Sequence, residues 1–216
     1  MTCCCLEAYE REFNPRLAAR NLRRYRRRGP LPTTRLLLEA ILAEGVAGKT
    51  LLDIGGGVGA IGHELLKAGL EHATQVDLSP AYLGAAREEA ERQGHQQRTT
   101  FLQGDAAAMD EQLPTAEIVT LDRVICCYPE VERLLSTAAR HARELVGLAY
   151  PRETWWDRAA LAAANLSFRV RRCPFRVYLH PSRTVDALLH GHGFEQRSHR
   201  ATLLWQVAVY VRTIRS

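Results

Sequence analysis

Residues 51–60 read LLDIGGGVGA, an apolar run that contains one acid and is followed at once by glycines. The residues TLLDIG, 50–55, predict a short buried β-strand. The glycines that come next allow a turn with positive φ angles and let the backbone approach a bound ligand closely. The stretch therefore predicts a ligand site at the end of a buried strand.

Helices and strands are predicted to alternate after this stretch. Helices are predicted at 61–70, 81–94 and 130–144, and strands at 73–79, 98–105, 117–126 and 145–151. Two last strands, at 194–200 and 203–211, are joined by a tight turn. This alternation indicates an α/β fold with a doubly wound, Rossmann-like seven-stranded sheet, mostly parallel and with a C-terminal antiparallel strand pair.

The N-terminal part is predicted to be helical. Over residues 6–28 apolar side chains recur at helical spacing, among them Leu6, Tyr9, Phe13 and Leu17, and Asn14-Pro15 is a candidate break. Thr33 or Thr34 is a candidate cap of the next helix. We expect residues 1–32 to form a helical lid over a domain at 33–216, which carries an insert at about 153–193.

Composition limits the partners and the compartment. The formal charge is +5, but almost all of the basic residues are arginines, which is typical of compositional bias. No segment is apolar enough for a membrane span, and the N-terminus lacks a secretory signal, so the sequence predicts a cytoplasmic protein. The six cysteines include no C-x-x-C pair, and we expect no metal site.

Three acids end three successive predicted strands. Asp53 precedes the glycines, Asp77 ends the strand in VDLS, and Asp105 ends the strand in QGDA. A carboxylate at Asp53 repels a pyrophosphate but suits a ligand that carries an ammonium and a sulfonium group. Asp77, roughly 20 residues beyond the glycines, suits the two hydroxyls of a ribose, and Asp105 can accept the exocyclic amine of adenine. As alternatives, Asp53 and Asp77 could be helix caps.

Two other nucleotide motifs fit less well. Gly57, Gly59 and Gly62 spell G-x-G-x-x-G, which taken alone is a weak sign of a dinucleotide fold. AEGVAGKT, residues 43–50, matches a relaxed P-loop pattern, but a helix precedes it and a strand follows it, the reverse of the order that a P-loop requires.

DIGGGVG, VDLS and QGDA together resemble class I S-adenosylmethionine-dependent methyltransferases over roughly residues 33–212. IVTLDRVICCYPE, residues 118–130, is similar to the small-molecule enzymes of that family, including magnesium-protoporphyrin methyltransferases. The resemblance implies S-adenosyl-L-methionine as cofactor and S-adenosyl-L-homocysteine as product. The cofactor-binding positions that it implies are Asp53, Gly55, Gly57, Gly59, Asp77, Leu78, Asp105 and Ala106.

The acceptor is expected over the end of the fourth strand. Asp122 and Tyr128 are the candidate catalytic residues there, although Asp122 could instead bind loop amides and Tyr128 could merely pack. Aromatic residues of the insert could form a pocket wall or a satellite core: Trp155, Trp156, Phe168, Phe175, Tyr178 and His180. The candidate substrate-binding residues are Tyr9, Tyr25, Cys126, Cys127, Tyr178 and His180, with buried structural thiols as the alternative for both cysteines.

The sequence therefore predicts a methyltransferase that acts on a small molecule, with oxygen as the accepting atom, as a monomer or homodimer. One alternative is an RNA or protein methyltransferase guided by the arginines around Tyr25. Another is a protein that binds S-adenosylmethionine without transferring its methyl group.

Overall fold

The computed structural model describes Tyr9 and residues 11–213. Leu6 of the predicted lid and the cysteines at 3–5 lie outside the described residues. The helices are α1 Pro15–Arg28, α2 Pro32–Ala43, α3 Ala60–Lys67, α4 Pro80–Gln93, α5 Val131–His141, α6 Trp155–Val170 and α7 Ser182–Gly191. The strands are β1 Thr50–Ile54, β2 His72–Asp77, β3 Thr99–Gln103, β4 Ala116–Asp122, β5 Ala142–Pro151, β6 Phe194–Ala201 and β7 Trp205–Arg212.

The strands form one seven-stranded sheet in the order β3-β2-β1-β4-β5-β7-β6. Neighbours from β3 to β5 are parallel, whereas β7 is antiparallel to both β5 and β6. The predicted fold class is confirmed. The chain winds outward from β1 through β2 to β3 and then returns to β4 on the other side. Open α/β sheets bind ligands at such a reversal, outside the carboxyl ends of the strands.

Helices cover both faces of the central strands, and adjacent residues of a strand point to opposite faces. Leu51 of β1 and Ile118 of β4 pack with α2 and α3 in one apolar cluster. Leu52 and Val119, the next residues along, pack with α5 and α7 in the other. This explains why β1 is apolar on both faces, with Asp53 as its exception.

Helix α1 packs against α4 on the side of the glycine turn. Asn14 caps α1 by accepting a hydrogen bond from Leu17 N at 3.1 Å, and Pro15 follows it, so the predicted break at Asn14-Pro15 is confirmed. Ala18, Leu22 and Tyr25 of α1 form an apolar cluster with Tyr82 and Ala85 of α4.

Polar contacts add to the docking of α1. Asn21 Nδ2 donates to the Tyr82 hydroxyl at 2.5 Å, and the Tyr25 hydroxyl donates to Glu64 Oε1 of α3 at 2.6 Å. Arg26 lies 2.7 Å from Glu89. Helix α1 is thereby fixed to both helices that follow the first two strands.

The predicted cap of α2 is wrong. Leu31 is the N-cap and Pro32 occupies the first turn, so the helix begins before Thr33 and Thr34. Proline suits this position because the first N–H of a helix has no intrahelical acceptor. The Thr34 hydroxyl bonds to Asp122 of β4 instead.

Two other predicted boundaries are also wrong. Strand β4 ends at Asp122 rather than at Cys126, because Arg123 has a φ of 61° and residues 125–127 form a short 3₁₀ turn. The helix predicted at 130–144 ends at His141, and β5 begins at Ala142 with Ala142 paired to Ala116.

Candidate cofactor and acceptor site

The turn after β1 requires glycine for two separate reasons. Gly55, Gly57 and Gly59 have φ angles of 67°, 58° and 77°, a region that other residues rarely adopt. A Cβ on Gly55 would lie 2.5 Å from Val124 Cγ2, and one on Gly56 would lie 2.5 Å from Asp53 Oδ2. The backbone therefore passes directly over the Asp53 carboxylate.

Asp53 is buried, and one of its two carboxylate oxygens accepts a hydrogen bond. The Thr120 hydroxyl of β4 donates to Oδ1 at 2.6 Å, whereas Oδ2 is buried and has no hydrogen-bond partner among the described residues. Burial raises the pKa of Asp53 to about 7, with smaller upward contributions from Asp122 and Asp77 and an opposing one from Thr120. The free oxygen suits a cationic ligand group, which would also keep the carboxylate ionised.

Asp77 ties the end of β2 to the glycine turn. Its Oδ2 accepts from Gly57 N at 3.0 Å, and its Oδ1 accepts from Ser79 N at 2.8 Å. Burial raises the pKa of Asp77, and these N–H donors oppose that rise. Helix α4 is capped by Ser79, whose Oγ accepts from Tyr82 N, so Asp77 is not its cap.

Asp105 and Tyr128 lie together beyond β3. The Tyr128 hydroxyl is 3.1 Å from each carboxylate oxygen of Asp105, and Ala107 N donates to Oδ1 at 3.1 Å. Burial and the neighbouring Asp105 carboxylate raise the pKa of Tyr128. In this structure the Tyr128 hydroxyl is a donor that orients Asp105.

Asp122 is the last residue of β4, and only one of its two carboxylate oxygens has a hydrogen-bond partner among the described residues. The Thr34 hydroxyl donates to Oδ2 at 2.5 Å. Oδ1 is buried without a hydrogen bond among the described residues, and its nearest cation is Arg123 Nε at 3.6 Å. Burial raises the pKa of Asp122, which increases the affinity of this carboxylate for a proton.

These groups surround one cavity of about 490 Å³. Most of the predicted site residues line it: Tyr9, Tyr25, Asp53, Gly55, Gly57, Asp77, Leu78, Asp105, Ala106, Asp122, Cys126, Cys127 and Tyr128. Gly59, Tyr178 and His180 are not among the lining residues. The strand ends and α1 thus share one cavity.

Tyr178 and His180 hold the loop after β4 from outside. Tyr178 N donates to Cys126 O at 2.7 Å. His180 Nε2 lies 2.9 Å from Ile125 O and 3.0 Å from Tyr128 O, and because both partners are carbonyls this nitrogen carries the proton. Of the insert, only Val177 lines the cavity, and Trp155 is exposed to solvent, so the predicted aromatic wall is not formed by these side chains.

Cys126 and Cys127 are adjacent thiols on the cavity wall. Their Sγ atoms are 3.8 Å apart, and Cys126 Sγ also lies 3.5 Å from Arg123 O. The contact with Cys127 and burial together raise the pKa of Cys126. Within residues 9 and 11–213, no group of three His, Cys, Asp or Glu side chains is placed to hold a metal ion.

The structure adds lining residues that were not predicted as site residues. Phe13, Leu17 and Asn21 follow Tyr9 at four-residue intervals, so the helical periodicity of the N-terminal segment is a signal for them. Thr34, Tyr82, Arg24, Val124 and Trp205 also line the cavity. Nothing local in the sequence marks Thr34, whose partner is far along the chain.

Comparison with known proteins agrees with this geometry. Residues 51–144 match the family described as "Methyltransferase domain". A ubiquinone/menaquinone biosynthesis C-methyltransferase from Allorhizobium ampelinum is 30% identical over 106 residues, which cover 48% of this chain and 41% of that protein. A ribosomal protein L11 methyltransferase from Alteromonas mediterranea is 34% identical over 113 residues, which cover 50% and 39%. The chain thus spans about two-fifths of the length of these relatives.

Solved structures share the fold over most of the chain. The magnesium protoporphyrin IX methyltransferase from Synechocystis PCC 6803 with bound S-adenosylhomocysteine superposes with a TM-score of 0.69 at 22% identity, covering 84% of this chain and 82% of that one. An O-methyltransferase family protein from Burkholderia thailandensis has a TM-score of 0.69 at 18% identity, covering 93% and 59%.

The family match and the shared fold point to the same class of enzyme. The resemblance to class I S-adenosylmethionine-dependent methyltransferases predicted from the sequence is confirmed, with the family match lying over residues 51–144. The matched segment includes β1, the glycine turn and the acids Asp53, Asp77, Asp105 and Asp122. No helix in the described part of the chain is long and apolar enough to cross a membrane.

Proposed function

We propose that this chain transfers a methyl group from S-adenosyl-L-methionine to an oxygen atom of a small-molecule acceptor. The observation that carries the proposal is that two aspartates lining one cavity, Asp53 and Asp122, each have a buried carboxylate oxygen without a hydrogen-bond partner among the described residues. Leaving such groups unsatisfied costs about 1–3 kcal/mol or more each. A ligand with donor or cationic groups would satisfy them.

The carboxylates that line the cavity fit the cofactor that the family uses. Asp53 and the backbone of the glycine turn would hold the methionine part, whose ammonium group matches the free Asp53 oxygen. Asp77 has spare acceptor capacity for ribose hydroxyls beside its two backbone bonds. Asp105, oriented by Tyr128, would accept from the adenine amine.

When bound, the cofactor supplies an activated methyl group on a sulfonium, so the protein needs chiefly to orient the reactants and exclude water. Helix α1 serves to exclude water from the cavity. Its inward residues Leu17, Asn21 and Tyr25 line the cavity, and their neighbours fix the helix to α3 and α4. Residues 1–32 are therefore proposed as a lid, and 33–216 as the domain that they cover.

Asp122 is the proposed general base for an acceptor hydroxyl. It lies at the end of β4, its pKa is raised by burial, and Thr34 fixes the orientation of its carboxylate. In the ionised form, Oδ1 would take the proton of the hydroxyl as the oxygen is methylated. The proposed catalytic role thus lies with Asp122, and Tyr128 is proposed to position Asp105.

The charges near Asp122 indicate the kind of acceptor. Arg24 and Arg123 line the cavity beside apolar side chains such as Leu17, Val124 and Trp205. Burial, and after it the neighbouring Arg123, Arg28 and Arg35, lower the pKa of Arg24, so this guanidinium lies among other arginines. We therefore propose an acceptor that is mainly apolar and carries an anionic group.

A transfer assay tests this proposal. The protein is incubated with methyl-labelled S-adenosylmethionine and separate small-molecule, RNA and protein fractions of a cell extract. We expect label in a small molecule, as an ether or ester, and little label with Asp122→Asn. Label in RNA or protein would support the alternative acceptors, and cofactor binding without transfer to any fraction would support a non-catalytic binding protein.

A further inference from the structure

Helix α6 presents an apolar face to solvent. The residues that face the body of the protein are Asp157, Leu161, Ala164 and Phe168, all buried or half-buried. The opposite side is formed by Trp155, Ala159, Ala162, Leu166 and Val170, all exposed. Trp155, Leu166 and Val170 are 75%, 60% and 75% exposed. An ordinary surface helix has polar residues on its outward side, whereas α6 has apolar residues on its outward side as well as on its inward side.

The tip of the β6–β7 hairpin extends this apolar side. Leu203 is 72% exposed, and Leu204 beside it is also exposed. Trp156 Nε1 lies 3.5 Å from Leu203 O, and the rings of Trp155 and Trp156 are in edge contact at 5.6 Å. The apolar docking face is therefore Trp155, Trp156, Ala159, Ala162, Leu166, Val170, Leu203 and Leu204.

The charge around the apolar docking face is positive. Arg158, Arg169, Arg171 and Arg172 are exposed, and none of them forms an ion pair with the described residues. The acid of this helix, Asp157, is buried and accepts a hydrogen bond from the Thr154 hydroxyl. The face thus combines exposed apolar area with cations that have no ion-pair partner in the described part of the chain.

We infer that the apolar docking face binds the surface of a lipid bilayer that contains anionic lipids. Tryptophan suits the boundary between headgroups and acyl chains, and leucine and valine can enter that boundary. The arginines match the negative surface charge. The helix is roughly 24 Å long at 1.5 Å per residue, enough to lie along the surface without spanning it.

A second copy of the chain fits this face less well. Pairing two α6 helices would bring two sets of the same unpaired arginines together, and like charges in a shared interface are repulsive. An anionic surface instead neutralises them. The cavity lies next to the docked region, because Trp205 lines the cavity and directly follows the exposed Leu204.

Vesicle sedimentation tests the inference with the full chain. One set of vesicles is phosphatidylcholine alone, and the other contains phosphatidylcholine with a third phosphatidylglycerol. We expect binding to the second set, weakened by added salt, with a blue shift of tryptophan emission. The double variant Leu166→Glu, Val170→Glu should lose at least about tenfold in affinity, and both positions are exposed enough for the fold to persist.

Leu42→Glu is the matched control, since Leu42 is an exposed leucine on α2, outside the apolar docking face. It should bind vesicles like the unchanged protein. Equal binding by the double variant, or no binding to anionic vesicles, would overturn the inference. A dimer in solution that the double variant dissociates would also overturn it, since the face would then pair two copies. Capture of an acidic protein in place of vesicles would overturn it as well.

Discussion

The Thr34 hydroxyl, in the first turn of α2, donates a 2.5 Å hydrogen bond to Asp122 Oδ2 at the end of β4. This bond fixes the carboxylate of Asp122, a residue that lines the cavity, and leaves Oδ1 without a hydrogen-bond partner among the described residues. Because Thr34 is buried in α2, the orientation of the proposed base depends on the packing of α2 against the sheet.

Replacing Asp122 should lower turnover more than binding. We expect Asp122→Asn to reduce kcat by about 10²–10⁴, the usual contribution of a general base, with a small change in KM for the cofactor. Thr34→Val should cause a smaller loss and shift the pH profile of kcat, since the carboxylate loses its donor. Thr33→Val, at the neighbouring buried threonine, is the control and should leave both constants unchanged. A kcat unaffected by Asp122→Asn would exclude its role as base.

Cofactor affinity should rise with pH because of Asp53. Burial raises its pKa to about 7, so at lower pH the carboxyl is protonated and must lose its proton to pair with an ammonium group. Each pH unit below the pKa then costs up to about tenfold in affinity. Calorimetry with S-adenosylhomocysteine between pH 5.5 and 8 should show this rise, and Asp53→Asn should remove it. A slope that persists in Asp53→Asn would assign the titration to another group.

Asp77 should be needed both for binding the cofactor and for holding the conformation of the glycine turn. We expect Asp77→Ala to weaken S-adenosylhomocysteine binding by at least about tenfold, since charge-assisted hydrogen bonds contribute about 1.5–3 kcal/mol. The loss of acceptors for Gly57 N and Ser79 N adds to this. Circular dichroism should show a folded protein. Asp110→Ala, which removes an acid paired with Arg140 away from this cavity, is the control. Unchanged affinity in Asp77→Ala would remove this residue from the site.

The lid proposal predicts a specific effect of loosening α1. Leu22 is buried in the cluster with Tyr25 and Tyr82, and Leu22→Ala should weaken that packing by about 2–5 kcal/mol. We expect faster proteolysis within α1 and weaker S-adenosylhomocysteine binding. The neighbouring Arg23 is exposed, and Arg23→Ala should change neither quantity. If Leu22→Ala becomes sensitive to protease and still binds with full affinity, α1 is a surface element and not a lid.

The sequence predicted the sheet because β1 and its glycines are local signals. The positions of Asp53, Asp77 and Asp105 followed from the same logic, since the carboxyl ends of parallel strands meet at one edge. The bonds from Thr34 to Asp122 and from Tyr128 to Asp105 could not be predicted in this way. They join residues distant along the chain, and their geometry depends on how helices and loops pack.

The region after β4 differs most from the prediction, for a local physical reason. Arg123 adopts a positive φ, which few non-glycine residues do, and ends the strand early. The loop then turns back and is held by His180 from the insert. Aromatic content alone placed Tyr178 and His180 in the pocket, but their hydrogen bonds place them behind the loop that lines it.

Calorimetric titration with S-adenosylhomocysteine and, separately, with NAD distinguishes a methyltransferase cofactor site from a dinucleotide site. The free carboxylate oxygen of Asp53 beneath the glycine turn favours an ammonium group and repels a pyrophosphate. We expect saturable binding of S-adenosylhomocysteine, weakened in Asp53→Asn, and no binding of NAD. Tight binding of NAD with no binding of S-adenosylhomocysteine would contradict it.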